Sequence, residues 1–208
     1  MNNEFNEGYI VDKYPWLNTH LHDVNDTPLK TANHHLQRYV YAFLHAGEPK
    51  NILDIGCGSG YGSYLLGMTG RSVLGVDLDE EAVEYARVHF STRNTFFLVF
   101  DALDMSGSYD LVTCFEFIEH VSKEDGERFL RSLKSLTRHF FLSTPVDSKV
   151  GVRVHHMSQW TKEDFRRLLG FDFTLEFMVQ EYDTGVIRKP LSGYRENGFI
   201  FVEGTRIE

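Results

Sequence analysis

Short apolar runs alternate with longer amphipathic segments through the middle of the chain. Five of these runs are short enough for buried strands, and they lie at 51–55, 72–76, 95–100, 110–115 and 139–143. Segments with helical periodicity separate them, at Ser63 to Met68, Asp79 to about Phe90 and Lys123 to about Leu136. Strands that alternate with helices predict a parallel sheet covered on both faces.

The two ends of the chain depart from this alternation. The first 30 residues indicate an arm or loop, and residues 31 to about 45 place apolar and aromatic side chains at helical spacing: Leu36, Tyr39, Val40, Phe43 and Leu44. Near the other end, Thr161 to Leu169 predicts a short helix capped by Thr161 and Asp164. Two strand-like runs follow, Asp172 to Glu181 and Gly198 to Glu203, without a helix between them, so we expect them to pair antiparallel.

The prediction is therefore a single α/β domain. Its sheet is expected to be Rossmann-like, doubly wound and seven-stranded, mostly parallel with an antiparallel last strand. Residues 1–48 would form an N-terminal arm and a covering helix, and residues 49–208 a ligand-binding core with the antiparallel strands at its end.

Composition narrows the function classes. The 208 residues include 21 Lys and Arg against 30 Asp and Glu, a net charge of −9 that disfavours a broad phosphate-binding surface. No apolar run approaches the roughly 20 residues that span a bilayer, and the start of the chain lacks the layout of a signal peptide. We expect a cytoplasmic protein without a membrane partner. Its two cysteines, Cys57 and Cys114, indicate small core residues rather than a disulfide framework.

A glycine-rich turn joins the first strand to a helix. It runs Asp-Ile-Gly-Cys-Gly-Ser-Gly-Tyr-Gly from Asp54 to Gly62, and Tyr61 stands where a dinucleotide fingerprint needs Gly or Ala. A carboxylate such as Asp54 would repel a pyrophosphate but attract an ammonium group. Asp77, at the end of the second strand, is placed to accept hydrogen bonds from ribose hydroxyls, and Asp101, after the third, to meet an adenine amino group. Ammonium, ribose and adenine without phosphate describe S-adenosylmethionine.

Four segments resemble the class I S-adenosylmethionine-dependent methyltransferases: Leu53 to Gly60, Gly75 to Asp77, Asp101-Ala102 and Tyr109 to Val112. The resemblance covers roughly residues 35–170. It implies that Asp54 and the turn from Gly56 to Gly60, with Cys57 and Gly58, hold the methionine part. It further implies that Asp77 holds the ribose, and that Asp101 with Ala102 holds the adenine. Other residues expected at the cofactor are Tyr61, Leu78, Phe115 and Glu116.

The candidate chemistry follows the fourth strand, where the sequence runs Phe-Glu-Phe-Ile-Glu-His-Val from Phe115 to Val121. A hydroxyl acceptor must lose its proton, and His120 is the first candidate base, with His156 the second and Glu119 beside them. The alternative interpretation is that Glu119 and His120 only anchor the loop. The sequence also resembles methyltransferases of glycan pathways, in which the N-terminal helix covers the cofactor. That resemblance implies that His35, Arg38 and Tyr39 line the pocket, although Tyr39 equally fits an apolar stripe.

The same residues raise a metal alternative. Two carboxylates, Glu116 and Glu119, and two imidazoles, His120 and His156, suit a divalent cation. This arrangement is similar to small-RNA terminal 2′-O-methyltransferases. However, the Glu-x-x-Glu-His motif followed by Ser-Thr-Pro also resembles methyltransferases of glycan and antibiotic-sugar pathways, so metal-free use is favoured.

The expected function is transfer of a methyl group from S-adenosylmethionine, which becomes S-adenosylhomocysteine, to a hydroxyl or amine of a small molecule or sugar. Nucleic acid is a less favoured partner. Two alternatives stay open: a metal-dependent RNA 3′-terminal 2′-O-methyltransferase, and a catalytically silent cofactor-binding partner of a larger complex. The acceptor pocket is expected from the first 48 residues, 145–160 and 182–197.

Overall fold

The computed structural model describes residues 28–68, 70–146, 156–181, 184–190 and 198–207. Within these ranges the chain forms five α-helices and eight strands. In chain order they are α1 (Pro28–His45), β1 (Asn51–Ile55), α2 (Tyr61–Gly67), β2 (Ser72–Asp77), α3 (Glu80–Phe90), β3 (Thr95–Val99), β4 (Leu111–Phe115), α4 (Lys123–Leu136), β5 (His139–Pro145), α5 (Lys162–Leu169), β6 (Phe173–Glu181), β7 (Ile187–Arg188) and β8 (Gly198–Arg206).

All eight strands belong to one sheet with the order β3-β2-β1-β4-β5-β8-β6-β7. The first five pair in parallel, and β8, β6 and β7 continue the sheet antiparallel. The predicted parallel sheet with an antiparallel edge is confirmed, but the predicted count of seven strands is wrong by one. The additional strand, β7, pairs Ile187 and Arg188 with Gln180 and Val179. Two residues are too few to show strand periodicity, so the sequence did not reveal it.

The predicted helices are present with small shifts of their ends. Helix α2 begins at Tyr61, two residues before the predicted start. Helix α5 has the expected capping box: the Thr161 hydroxyl accepts a hydrogen bond from the Asp164 amide at 3.2 Å, and the Asp164 carboxylate accepts one from the Thr161 amide at 3.0 Å. The reciprocal bonds satisfy two amides that a helix start leaves open.

Two apolar layers enclose the sheet, one on each face. Because side chains alternate along a strand, neighbouring β1 residues such as Ile52 and Leu53 enter opposite layers. The first layer packs β-strand residues against α4 and α5, with Phe129, Trp160 and Phe165 buried in it. The second packs Tyr39 of α1 and Leu66 of α2 against the other face. No helix in the described ranges is long and apolar enough to cross a membrane.

Helix α1 lies where the sequence predicts a helix, but it packs through a different face from the one its apolar spacing suggests. Of the predicted stripe, Leu36, Val40 and Leu44 are 42%, 38% and 68% exposed, whereas Tyr39 is buried. The other fully or nearly buried side chains of the helix include the polar residues His34 and Arg38. Polar side chains of α1 can be buried because the helix packs against the carboxyl ends of the central strands. There the Tyr39 hydroxyl donates to Asp54, and Arg38 forms an ion pair with Glu116.

Candidate active site

The glycine-rich turn lies at the carboxyl ends of the parallel strands, directly after β1. Gly58 and Gly60 have φ values of 50° and 86°, a region that side chains other than glycine rarely adopt. A Cβ on Gly60 would lie 2.6 Å from the Ala86 Cβ, so only glycine allows α3 to approach the turn. A Cβ on Gly58 would meet no atom within 4 Å, because this residue faces open space. The turn therefore offers bare backbone to a ligand at Gly58.

The Asp54 side chain forms a hydrogen-bond network beside this turn. Its carboxylate is fully buried and accepts hydrogen bonds from three hydroxyls: Ser63 at 2.6 Å, Thr113 at 2.7 Å and Tyr39 at 3.2 Å to each oxygen. Burial raises the pKa of Asp54 to about 6, although the three hydroxyls oppose that rise. Because its oxygens are already occupied, a direct ion pair with an ammonium group requires one hydroxyl to give way. That predicted contact stays a prediction.

Asp77 and Asp101 lie at the ends of β2 and β3, as expected from the sequence. One Asp77 oxygen accepts from the Gly58 amide at 2.8 Å, which ties the carboxylate to the glycine turn. The next residue, Leu78, is 64% exposed and offers an apolar surface beside that carboxylate. Asp101 accepts from the Leu103 amide at 2.9 Å, and Ala102 is buried beneath it. These four residues therefore place two carboxylate acceptors and an apolar surface at this edge of the sheet.

Arg38 and Glu116 form a buried ion pair at the same edge, which the sequence did not indicate. Their Nη1 and Oε1 atoms lie 3.2 Å apart, and the Arg38 side chain is fully buried. Glu116 also accepts from the Ser143 hydroxyl at 2.9 Å and has a φ of 55°, the one positive φ among described non-glycine residues. Such a backbone conformation costs about 1 kcal/mol or more and concentrates at functional sites. The ion pair and the hydroxyl hold Glu116 in that conformation.

Aromatic rings fill the space between α1 and the strand ends. The ring of Tyr39 packs edge-on against the rings of Phe115 and Tyr61, with distances between ring centroids of 4.9 and 5.9 Å. Burial raises the pKa of Tyr61, so its hydroxyl stays neutral. Burial also raises the pKa values of the Cys57 and Cys114 thiols, which fits the predicted core role for both rather than that of nucleophiles.

Glu119, His120 and His156 come together after β4, although 36 residues separate the two histidines. Each offers a ligand atom, and these atoms lie within 4.8 Å of one another. The imidazole rings lie 5.1 Å apart and almost perpendicular. Glu116, the fourth expected ligand, is not in this group and pairs with Arg38 instead.

The backbone around this cluster is fixed by the segment that follows His156. The Met157 and Ser158 amides donate to the Glu119 carbonyl at 2.8 and 3.2 Å, and Trp160 Nε1 donates to the Ile118 carbonyl at 3.1 Å. This supports the loop-anchoring interpretation for the backbone. The Glu119 side chain is different: it is fully buried, and its carboxylate oxygens accept no hydrogen bond from the described residues. Burial, and then the Glu116 charge, raise the pKa of Glu119 well above its usual value.

Sequence reasoning missed four polar partners of the site: Ser63, Thr113, Ser143 and Gln180. Thr113 interrupts an otherwise apolar strand, which is the signal that could have found it, whereas β6 carries other polar residues beside Gln180 and gives no such signal. Much of the expected acceptor pocket, residues 1–27, 147–155 and 191–197, lies outside the described residues.

A family model described as a methyltransferase domain matches residues 30–178. The chain belongs to the methyltransferase-domain family. This membership agrees with the resemblance to methyltransferases seen in the sequence.

Curated relatives of this methyltransferase domain are named ubiquinone biosynthesis O-methyltransferases. The protein from Vibrio parahaemolyticus is 36% identical over 126 residues, which cover 56% of this chain and 53% of the relative. The protein from Acinetobacter baylyi is 32% identical over 112 residues, 48% of this chain and 46% of the relative. The matched part thus spans about half the length of these curated relatives.

Solved structures share the fold. Magnesium protoporphyrin IX methyltransferase from Synechocystis PCC 6803 with bound S-adenosylhomocysteine superposes with a TM-score of 0.68 at 20% identity, covering 97% of this chain and all of that one. Small RNA methyltransferase HEN1 superposes with a TM-score of 0.66 at 18% identity, covering 84% of this chain and 25% of that one.

Proposed function

We propose that this methyltransferase domain transfers the methyl group of S-adenosylmethionine to a hydroxyl of a small molecule or sugar, with an amine as the other possible acceptor. His120 would act as the general base. The proposal rests on two imidazoles, those of His120 and His156, that lie close to the buried Glu119 carboxylate. Glu119 and His120 follow β4, at the edge of the sheet that also carries the glycine turn. The names of the curated relatives support a small hydroxylated acceptor.

The residues at the edge suit the cofactor group by group. Gly58 exposes bare backbone, and the neighbouring Asp77 carboxylate can accept from two ribose hydroxyls. The exposed Leu78 side chain offers an apolar face for adenine, with Asp101 nearby for its amino group.

At the other end of the site, Arg38 would bind the α-carboxylate of the cofactor. Its guanidinium is fully buried, and Nη2 makes no hydrogen bond to a described residue. A buried guanidinium nitrogen without an acceptor costs free energy, and a carboxylate would relieve that cost with a charge-assisted hydrogen bond.

The bound cofactor supplies an electrophilic methyl group on a sulfonium. The protein then has two tasks: to hold the acceptor oxygen in line with that methyl, and to take the acceptor proton. His120 would take the acceptor proton on a ring nitrogen as the C–O bond forms, and the electron pair of the broken C–S bond would remain with the S-adenosylhomocysteine product. His156, at right angles to His120, is the second candidate for that proton.

The test is a methyl-transfer assay on a panel of small phenols, diols and sugars, comparing His120→Asn with the wild type. We expect kcat to fall by about 100-fold or more, because general bases contribute factors of that order, with little change in affinity for S-adenosylmethionine. His89→Asn, which changes an exposed histidine of α3, is the matched control. Wild-type turnover retained by His120→Asn would contradict the role of His120. Tight cofactor binding without turnover on any acceptor would favour a catalytically silent partner.

The cluster of Glu119, His120 and His156 favours one second candidate, a metal-dependent RNA 3′-terminal 2′-O-methyltransferase. The site suits a divalent cation because it combines imidazole and carboxylate ligand atoms within 4.8 Å, and the buried Glu119 carboxylate accepts no hydrogen bond from a described residue. Activity on single-stranded RNA that a chelator abolishes and Mn²⁺ or Mg²⁺ restores would support it. Chelator-resistant activity on a small acceptor would rule it out in favour of the metal-free proposal.

A further inference from the structure

Gln180 is a fully buried polar residue next to the last position of β6, and the sequence motifs do not include it. Its side-chain oxygen accepts a hydrogen bond from Arg38 Nε at 2.6 Å, across 142 residues of chain. Its side-chain nitrogen donates to the His34 and Gly185 carbonyls, both at 2.9 Å. One amide thus joins α1, the end of β6 and the turn that leads to β7.

These three bonds fix the orientation of the amide. An amide nitrogen has two hydrogens to donate, and here each meets a carbonyl, while the oxygen faces a donor that cannot accept. A flipped amide would lose all three bonds and set its nitrogen against Arg38. The side chain of Gln180 therefore has one satisfactory arrangement.

The orientation of Gln180 in turn fixes the guanidinium of Arg38. Gln180 holds the Nε side, Glu116 lies 3.2 Å from Nη1, and the ring of Phe199 lies 4.2 Å below the guanidinium carbon. The plane and the rotation of the group are both determined. Nη2 is the nitrogen left without a partner among the described residues.

We propose that Gln180 is a positioning residue for cofactor binding: it holds Arg38 so that Nη2 meets the α-carboxylate of S-adenosylmethionine. The proposal rests on the placement of that carboxylate at Arg38 under the proposed function. It adds that the carboxylate subsite depends on a residue of the antiparallel edge of the sheet, far from the glycine turn. Affinity for the carboxylate then depends on contacts between α1 and the turn after β6.

The test separates positioning from a merely structural role by using two ligands. S-adenosylhomocysteine has the α-carboxylate, whereas 5′-methylthioadenosine keeps the adenosine and sulfur but lacks the amino-acid end. We expect Gln180→Met to weaken binding of S-adenosylhomocysteine by about tenfold, the size of one lost charge-assisted hydrogen bond, and to change binding of methylthioadenosine by less than about twofold in calorimetry. Equal weakening of both ligands, or no change in either, would overturn the proposal.

Asn94→Leu is the matched control, because Asn94 also donates from one amide to two carbonyls, those of Gly67 and Arg71, but at the other side of the sheet. It should change neither affinity. If Gln180→Met does not fold, Gln180→Asn, one methylene too short to reach Arg38, should show the same selective loss.

Arg38→Met separates a failure of the proposed carboxylate placement from a failure of the positioning role of Gln180. If it weakens both ligands equally, the carboxylate placement itself fails. If it is selective while Gln180→Met is not, only the positioning role fails.

Discussion

The hydroxyl of Tyr39 lies 3.2 Å from both oxygens of the buried Asp54 carboxylate, and removing it in Tyr39→Phe tests whether that carboxylate is ionised. The phenyl ring keeps its packing, so the change is confined to one donor. A hydrogen bond to a charged group contributes about 1.5–3 kcal/mol, and one between neutral groups about 1 kcal/mol. Because the pKa of Asp54 is about 6, the carboxylate is charged at pH 8 and mostly neutral at pH 5.

We therefore expect Tyr39→Phe to lower the free energy of unfolding by about 2 kcal/mol at pH 8 and by about half as much at pH 5. For a domain of this size 1 kcal/mol corresponds to roughly 2–4 °C in Tm, so the loss at pH 8 is about 4–8 °C. The sign follows from the pKa: Tyr39 stabilises the ionised form more than the neutral form, so its contribution falls as the pH drops through about 6.

Tyr41→Phe on the same helix is the control. The Tyr41 hydroxyl donates to the Met178 sulfur at 3.0 Å, a weak neutral acceptor. Its loss should cost less than about 0.5 kcal/mol at either pH. Thermal and urea unfolding of both variants at both pH values decide the matter. A Tyr39→Phe effect that equals the control, or that is larger at pH 5 than at pH 8, would refute the assignment of an ionised Asp54.

Three further variants test neighbouring parts of the site. Gly62→Ala places a Cβ 2.1–2.4 Å from the Tyr39 ring, so we expect a loss of about 2–3 kcal/mol in urea unfolding. In Gly58→Ala the added Cβ faces open space, but the residue has a φ of 50°, so the free energy of unfolding should fall by only about 1 kcal/mol. The same variant should lose most of its affinity for S-adenosylhomocysteine in calorimetry. Equal stability losses for the two glycine variants would contradict this contrast. The raised pKa of Asp54 gives stability below about pH 4 that is lost as the pH rises through about 6. The free energy of unfolding of wild type relative to Asp54→Asn should therefore fall by about 3 kcal/mol between pH 3.5 and pH 7, and a constant difference would show that the pKa is not raised.

Strand-end positions explain why part of the site could be predicted from the sequence. Asp54, Asp77 and Asp101 lie at or near the carboxyl ends of three short strands, and the parallel sheet brings such ends to one edge. The two histidines were also brought together as expected, since one follows β4 and the other precedes the capped helix α5.

What the sequence did not show are contacts set by packing between distant segments. The pairing of Arg38 with Glu116 and Gln180 depends on how α1 crosses the strand ends, and no local spacing encodes that crossing. For the same reason the exposed side of α1, with Leu36 and Leu44, could not be distinguished from the buried one. Periodicity identifies a helix but not the polarity of the surface it covers.

Calorimetric titration with S-adenosylhomocysteine shows whether the Asp77 carboxylate, at the end of β2, holds the ribose of the cofactor. Asp77→Ala removes the acceptor for two ribose hydroxyls, so binding should weaken by about 100-fold or more, beyond the range of a standard titration. Asp104→Ala, an exposed carboxylate after β3, should bind as the wild type does. Thermal unfolding must show that Asp77→Ala is folded, since this carboxylate also accepts from the Gly58 amide. A folded Asp77→Ala protein that binds S-adenosylhomocysteine within about twofold of wild type would contradict the claim.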